Sequence, residues 1–196
     1  MGVTDENLLA AHLRGDKAAF RELVRRYADS LLGYLFRMTG NRDQAEDLLQ
    51  ETFKKVHEKA HTFRGPRLKS WLFTIATRNA LDAFRRRKHT PAVSLDQPND
   101  CDPDNGSSLA SATVDPDATD PADDVVREEQ AQQVRNAVDA LPPRQRATLV
   151  LAYFQQLTYP EVAQVLDCSV GTVKTQMSRA LARLAQQLPD SLSVTK

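Results

Sequence analysis

The residues best suited to chemistry in this sequence are the two histidines of His57-Glu58-Lys59-Ala60-His61. Histidines at i and i+4 on a helix can bind Zn²⁺, with the intervening glutamate as the general base of a hydrolase. A catalytic zinc needs a third protein ligand and an open coordination position. The extended pattern of such enzymes would place glycine at 64 and histidine at 67, where this chain has Arg64 and Arg67. This motif therefore does not predict a metal site, and no other feature of the sequence leads us to expect a metal or a cofactor.

A second group of chemistry-bearing residues lies in residues 156–184, which predict two short helices joined by a tight turn. Thr158 and Glu161 form a capping box, and Ser169 is a good N-cap for a helix from about Val170 to Leu184. On that last helix the apolar residues fall on one side, and hydroxyl and cationic side chains on the other. Such side chains suit base edges and phosphates in a major groove. An ordinary helical hairpin with a solvated face is the alternative, but the turn, the caps and the basic face together favour a helix-turn-helix.

Composition excludes several classes of protein. The 196 residues are 41% hydrophobic and 27% charged, which suits two small domains. The N-terminus carries acids where a signal peptide needs cations, and no segment approaches the length of a membrane span. Cys101 and Cys168 lie in dissimilar settings, so we expect two free thiols. We expect a cytoplasmic protein without membrane insertion.

The formal net charge of zero hides a division along the chain. Residues 90–125 contain nine aspartates and no Lys or Arg, which leaves 26 basic against 17 acidic residues elsewhere. This stretch predicts a long acidic, largely unstructured linker over residues 90–123. We expect helical domains over residues 1–89 and 124–188, and a tail over 189–196. Because no strand pattern appears, the predicted fold class is all-α.

The first domain is predicted to contain four helices. Thr4 caps the first and Asp16 the second, and Gly40-Asn41 separates the second from the third. Acidic residues fill the first half of the third helix, where they can stabilise the helix dipole or bind a partner. The fourth helix starts near Leu68, next to a basic and aromatic loop, and ends in a run of cations. That mixture is expected where a nucleic-acid backbone is gripped and unstacked bases are received.

Two long segments resemble bacterial RNA polymerase sigma factors of the extracytoplasmic-function (ECF) group. Residues 43–89 are similar to the second conserved region of that family, and residues 141–184 to the fourth. The specific motifs are AEDLLQETF, SWLFTIATRNALDAFRRR and VGTVKTQMSRA. The resemblance implies a factor that catalyses nothing itself, binds the clamp helices and flap of core RNA polymerase, and directs initiation at promoter DNA. An anti-sigma factor is expected as a further partner by analogy alone.

The resemblance also assigns roles to particular residues. The clamp helices would be bound by Asp47, Gln50 and Glu51. The minus-10 element would be opened and held by Phe63, Arg64, Lys69, Arg78, Asn79, Arg85 and Arg86. The minus-35 element would be read in the major groove by Thr172, Lys174, Thr175, Ser178 and Arg179.

Two other classes stay open at this point. A helix-turn-helix repressor or activator would bind duplex DNA alone, usually as a symmetric dimer. A zinc hydrolase would bind zinc stoichiometrically. Pro160 and Ser178 depart from the residues common in the sigma family, so no promoter preference follows from the sequence.

Overall fold

The computed structural model describes residues 3–65, 67–89 and 121–188, and within those ranges all regular structure is helical. The predicted all-α class is therefore confirmed. The predicted linker, up to residue 120, and the tail lie outside the described residues. The helices are α1 (Asp5–Leu13), α2 (Lys17–Thr39), α3 (Arg42–Lys59), a 3-10 turn (Ala60–Thr62), α4 (Leu68–His89), α5 (Pro121–Asp139), α6 (Pro143–Leu149), a π-helical turn (Val150–Phe154), α7 (Tyr159–Leu166) and α8 (Val170–Gln187).

The predicted helix starts are confirmed by their capping hydrogen bonds. The Thr4 hydroxyl accepts from the Asn7 amide, and the Asp16 carboxylate accepts from the Ala18 and Ala19 amides. Gly40 ends α2 in the left-handed conformation, with φ of 68°, and Asn41 caps α3. These polar side chains satisfy amides that have no partner within the helix.

The start of α5 and the end of α6 differ from expectation. Helix α5 begins at Pro121, three residues before the predicted start at Asp124. After α6, the chain widens into the π-helical turn, which moves later side chains around the helix axis. A regular α-helical period would place Phe154 on the inward side with Val150 and Leu151. Phe154 is instead 41% exposed, and its ring lies 4.3 Å from the Arg37 guanidinium.

Helices α1–α4 form the N-terminal domain, and one hydrophobic cluster packs them together. Leu8 and Leu9 of α1 pack there against Leu23 of α2. The remaining buried members come from α2, α3, the 3-10 turn and α4, and are Ala19, Val56, Ala60, Leu68, Leu72 and Ile75. This packing fixes α3 and α4 side by side, so that their outer faces form one surface.

Helices α5–α8 form the C-terminal domain, and the two domains share a second hydrophobic cluster. Within the C-terminal domain, Val138 and Leu141 pack against Met177 and Ala180 of α8. The shared cluster joins α2, α3 and α4 to α6, the π-helical turn and the helix-turn-helix, and its buried members are Leu31, Tyr34, Leu35, Met38, Ala45, Leu48, Phe73, Ala76, Ala80, Ala147, Val150, Leu151, Leu157, Val162, Ala163, Val165 and Val173. The two domains are thus packed directly on one another, which composition and tether length alone did not predict.

No helix among the described residues is long and apolar enough to cross a membrane. Cys168 is a free, partly buried thiol, and its burial raises the pKa of that thiol. Cys101 lies outside the described residues.

Candidate nucleic-acid and polymerase interfaces

A polar groove of about 710 Å³ runs between α3 and α4 on the outer face of the N-terminal domain. Its lining combines cationic, hydroxyl and aromatic side chains with one amide, one aliphatic and one acidic side chain. They are Lys55, Lys59, His61, Thr62, Trp71, Thr74, Ile75, Arg78, Asn79 and Asp82. A groove of this kind can bind a phosphate backbone through its cations and a base through its aromatic ring.

Asn79 lies at the floor of this groove and is only 2% exposed. Its side-chain oxygen accepts from Lys55 Nζ at 2.6 Å, and its side-chain nitrogen donates to Thr52 Oγ1 at 3.1 Å. Lys55 Nζ also lies 2.7 Å from a carboxylate oxygen of Glu51. The predicted contact of Asn79 with DNA therefore stays a prediction, since burial and two internal bonds leave its amide to position Lys55 in this structure.

The loop between the 3-10 turn and α4 carries the predicted base-capturing residues. Phe63 is half-buried and packs edge-on against Trp71, with ring centroids 5.4 Å apart. The exposed Arg64 guanidinium donates to the carbonyls of His61 and Phe63, which folds it back on its own loop. Lys69 Nζ donates to the Gln155 carbonyl of the C-terminal domain at 2.8 Å.

The predicted cations of α4 are on its surface. Arg78 is exposed and lines the groove. Arg85 is exposed and lies 3.1 Å from Asp82, one turn away. Arg86 is exposed as well. We call Arg78, Arg85 and Arg86 the basic strip of α4, although Arg85 is paired with Asp82. Phe63 and Arg64 lie in the loop that precedes this helix.

The predicted polymerase-binding residues lie on α3. Asp47 and Gln50 are exposed, whereas Glu51 is half-buried through its ion pair with Lys55. Helix α3 therefore divides its outer surface between an acidic side and the groove. The Glu51–Lys55 pair connects the two, so the residue predicted to bind polymerase also holds a groove cation.

The last helix presents the reading face that the sequence predicts. Ser169 Oγ accepts from the Thr172 amide at 3.1 Å and so starts α8. Its inward face is fixed by Val173, Met177 and Ala180, all buried. The predicted reading residues are all exposed on the outside, namely Thr172, Lys174, Thr175, Ser178 and Arg179. Leu181, which helical periodicity places on the same side as Met177 and Ala180, is instead 52% exposed.

The turn before α8 confirms the predicted helix-turn-helix geometry. Thr158 and Glu161 form the complete capping box of α7, and the Thr158 bonds hold the pKa of Glu161 below its usual range. Asp167 ends α7 in the left-handed conformation, with φ of 52°. This sharp reversal sets α8 across α7 and leaves the α8 N-terminus free to enter a groove of DNA.

Several groove residues escaped prediction. Helical periodicity places Trp71 with the core residues of α4, but Trp71 is half-buried and lines the groove. Lys55 and Lys59 were not singled out. Their spacing of four residues on one face of α3, opposite the cationic helix α4, was the available signal.

His57 and His61 do not converge on one site. His57 Nδ1 lies 3.1 Å from His12 Nε2 of α1, and His61 belongs to the groove. In the described part of the chain, no three His, Cys, Asp or Glu side chains gather in a way that could hold a metal ion.

Comparison with known proteins places these surfaces in a family. Residues 23–90 match sigma-70 region 2, and residues 131–184 match sigma-70, region 4. The chain is 33% identical over 178 residues to the ECF RNA polymerase sigma factor SigW of Bacillus subtilis, covering 90% of this chain and 92% of that protein. It is 34% identical to the ECF RNA polymerase sigma factor SigM of Mycobacterium tuberculosis, covering 94% and 85%.

Solved structures show the same fold. The sigma factor RpoE of Bartonella quintana, crystallised with the anti-sigma factor NepR, covers 86% of this chain and 95% of its own, with a TM-score of 0.61 and 25% identity. CnrH, solved in complex with the cytosolic domain of CnrY, has a TM-score of 0.64 at 23% identity, covering 93% and 95%. With both conserved regions matched in order along nearly the whole chain, this protein belongs to the ECF RNA polymerase sigma factors of the sigma-70 family.

Proposed function

We propose that this chain binds core RNA polymerase and directs it to promoters, with each domain reading a different DNA element. The observation that carries this proposal is the face of α8, where five exposed hydroxyl or cationic residues lie opposite a buried apolar stripe. Such a face suits major-groove readout of a minus-35 element. The protein then catalyses no reaction itself and acts in the cytoplasm, where polymerase and chromosome lie.

The N-terminal domain would hold the opened minus-10 element. The basic strip of α4 grips the backbone, and the Phe63–Trp71 pair offers an aromatic surface to an unstacked base. Lys55, Lys59 and Arg78 add cations along the same groove. Strand separation is favoured in this arrangement because the single strand gains contacts that the duplex does not make.

The acidic side of α3 would bind the clamp helices of the polymerase. Asp47 and Gln50 are exposed for such a contact, and Glu51 supports it while holding Lys55. An anti-sigma factor is a further expected partner, since the related RpoE was crystallised with one. The division into domains at residues 1–89 and 124–188 belongs to this proposal, with α5 extended back to Pro121.

Run-off transcription with core polymerase on a promoter library tests the proposal. We expect transcripts from a subset of templates only when this protein is added. Asp47→Arg should abolish both this stimulation and co-purification with core polymerase, while Asp29→Arg, at an exposed acidic position of α2, should leave both unchanged. No stimulation on any template, or duplex binding as a dimer without polymerase, would contradict the proposal.

A further inference from the structure

Two histidines from different helices meet on the surface of the N-terminal domain, outside the set of residues that line the groove. His12 lies in the last turn of α1, and His57 lies in the last turn of α3. His57 Nδ1 is 3.1 Å from His12 Nε2, and the ring centroids are 5.0 Å apart. Because 45 positions separate the two residues along the chain, only the tertiary fold brings the rings together.

Packing below and beside the two rings fixes their positions. Leu9 of α1 and Val56 of α3 belong to the same buried cluster, so the backbones that carry the histidines are held together. Phe20 of α2 packs against both imidazoles, with its centroid 4.6 Å from that of His12 and 5.5 Å from that of His57. The pair is therefore preorganised, as the ligands of a binding site have to be.

The distance between the two nitrogens suits two ligands of one metal ion. Imidazole nitrogens bind Zn²⁺ at about 2.0–2.1 Å. Two nitrogens 3.1 Å apart, each about 2.05 Å from a common ion, subtend an angle of about 98° at that ion. This angle lies between the roughly 90° of adjacent ligands in tetragonal sites and the roughly 109° of tetrahedral sites. Each metal–nitrogen bond would lie about 40° from the line that joins the nitrogens, and rotation about the soft χ2 angle of histidine can supply that change.

The surroundings of His12 favour a metal-bound ring. Its Nδ1 atom is buried and has no hydrogen-bond partner. When Nε2 binds a metal ion, Nδ1 carries the proton and needs an acceptor. Burial and the nearby His57 lower the pKa of this ring, whereas the backbone and the carboxylate of Asp16 raise it, which places Asp16 beside the ring. Metal-bound histidines usually donate their second N–H to such a backbone or carboxylate group.

The site is accessible to an ion from solvent. His57 is exposed, and His12 is half-buried. In the part of the chain that the structure describes, no third His, Cys, Asp or Glu joins them to complete a ligand set. Water molecules would therefore occupy the remaining coordination positions.

We propose that His12 and His57 form a binding site for a divalent first-row transition-metal ion, with Cu²⁺ bound most tightly, and that the ion ties α1 to α3. Imidazole is a good ligand for Cu²⁺, Ni²⁺ and Zn²⁺, and the general order of affinities places Cu²⁺ first. Mg²⁺ and Ca²⁺ prefer oxygen ligands and do not bind here. The site is independent of the proposed function, since it uses none of the residues assigned to DNA or polymerase.

A bound ion would stabilise the attachment of α1 to the rest of the domain. Helix α1 has only nine residues. Isolated helices of that length are marginal in water, so α1 depends on its contacts with α2 and α3. An ion that binds the folded arrangement more tightly than the unfolded chain stabilises the fold by mass action.

Titration of the full-length protein with Cu²⁺ tests the site. The parent protein carries Cys101→Ser and Cys168→Ser, so that no thiol competes for the ion, and it is first freed of metal with a chelator. We expect calorimetry to show one Cu²⁺ bound per chain. Electron paramagnetic resonance should show two nitrogen ligands in the coordination plane.

Three matched histidine variants identify the ligands. His57→Gln and His12→Gln should each weaken Cu²⁺ binding at least about tenfold, since even the loss of an outer-shell partner costs about 10–100-fold. His61→Gln, at an exposed histidine one turn after His57, should leave the affinity unchanged. If His61→Gln and His57→Gln weaken binding equally while His12→Gln does not, the ion is held by the i, i+4 pair of α3 and the proposal is wrong.

Thermal unfolding gives a second readout. Free Cu²⁺ at about 100 times its Kd should raise the midpoint of the parent by about 5–10 °C and leave that of His57→Gln unchanged. Mg²⁺ should produce no shift in either protein. Far-UV circular dichroism checks that the variants keep their helices, and exposed His57 supplies the decisive variant if His12→Gln unfolds. Absence of one-to-one binding, or equal Cu²⁺ affinity in the parent and His57→Gln, would overturn the proposal and leave the rings as a hydrogen-bonded pair.

Discussion

The two surfaces proposed to bind DNA differ in how many hydrogen bonds and ion pairs their side chains already make within the protein. On α8 of the C-terminal domain, Lys174, Ser178 and Arg179 extend from a rigid helix into solvent. On the N-terminal domain, Asn79 is buried and bonded, and Lys69 is held by the other domain. A duplex major groove can be read by a preformed face, whereas a single strand has to be accommodated by a surface that rearranges.

This difference predicts that substitutions on α8 act on DNA binding alone. Substitutions in the groove of the N-terminal domain should change stability and DNA binding together, because the same side chains serve both.

The largest loss of DNA affinity is expected from substitutions on the exposed face of α8. Lys174→Glu combined with Arg179→Glu should weaken binding of holoenzyme to a minus-35 duplex about 100-fold, because each contact of this kind is worth about 1–3 kcal/mol. Electrophoretic mobility shift measures this, and the thermal midpoint of unfolding should not move. Arg183→Glu, one turn further along the exposed surface of α8, is the control and should cost far less. If Arg183→Glu weakened duplex binding as much as the double variant does, the effect would depend on net charge and not on these particular side chains.

Substitutions in the groove should have a smaller effect on DNA affinity and should also lower the unfolding free energy. Asn79→Ala removes the oxygen that holds Lys55 and the partner of Thr52, so we expect a loss of about 1–3 kcal/mol in unfolding free energy. Affinity for a single-stranded minus-10 oligonucleotide should fall about tenfold. Lys55→Met should reproduce the loss of affinity.

Combining the two groove substitutions decides how Asn79 acts. If Asn79 works only by positioning Lys55, the double variant should bind the oligonucleotide no more weakly than Lys55→Met alone. Additive losses would instead indicate that Asn79 contacts DNA directly, as the family resemblance predicts.

The smallest expected effect is a pH dependence of stability that arises from His12 of α1. Burial, with the neighbouring His57, holds the pKa of His12 below its usual 6.5, although Asp16 opposes this shift. Because the folded state disfavours the charged ring, this contribution is complete above pH 6.5 and is lost as pH falls below it. Thermal unfolding between pH 7.5 and 5 should therefore show a declining midpoint.

A pair of histidine variants isolates that contribution. His12→Phe should flatten the pH dependence while keeping the ring contact with Phe20. His61→Gln, at an exposed histidine, should leave the dependence in place. A decline unchanged by His12→Phe would assign the effect to other groups.

The sequence predicted local structure well because the helix ends carry their own signals. Thr4, Asp16, Ser169 and the Thr158–Glu161 pair each cap the helix that was expected of them, and the break expected at Gly40-Asn41 separates α2 from α3. The outward face of α8 could also be predicted from the sequence, because it depends only on helical periodicity. These features rest on interactions within a few residues of one another.

What the sequence did not indicate depends on contacts between distant segments. The burial of Asn79 follows from Thr52 and Lys55, more than twenty residues earlier. The outward turn of Phe154 follows from one extra residue in a helical turn, which periodicity alone does not register. The packing of the two domains was equally hidden, because the residues responsible look like ordinary core in each domain taken separately.

Gly40 has a consequence for how such a protein could be engineered. It ends α2 at φ of 68°, and an added Cβ would lie 3.3 Å from a carboxylate oxygen of Asp139 in the C-terminal domain. A left-handed alanine costs roughly 1–2 kcal/mol, and its methyl group would also press on the neighbouring domain. Substitution of Gly40 would thus strain the end of α2 and displace the Asp139 carboxylate by a few tenths of an ångström, at a point where the two domains meet.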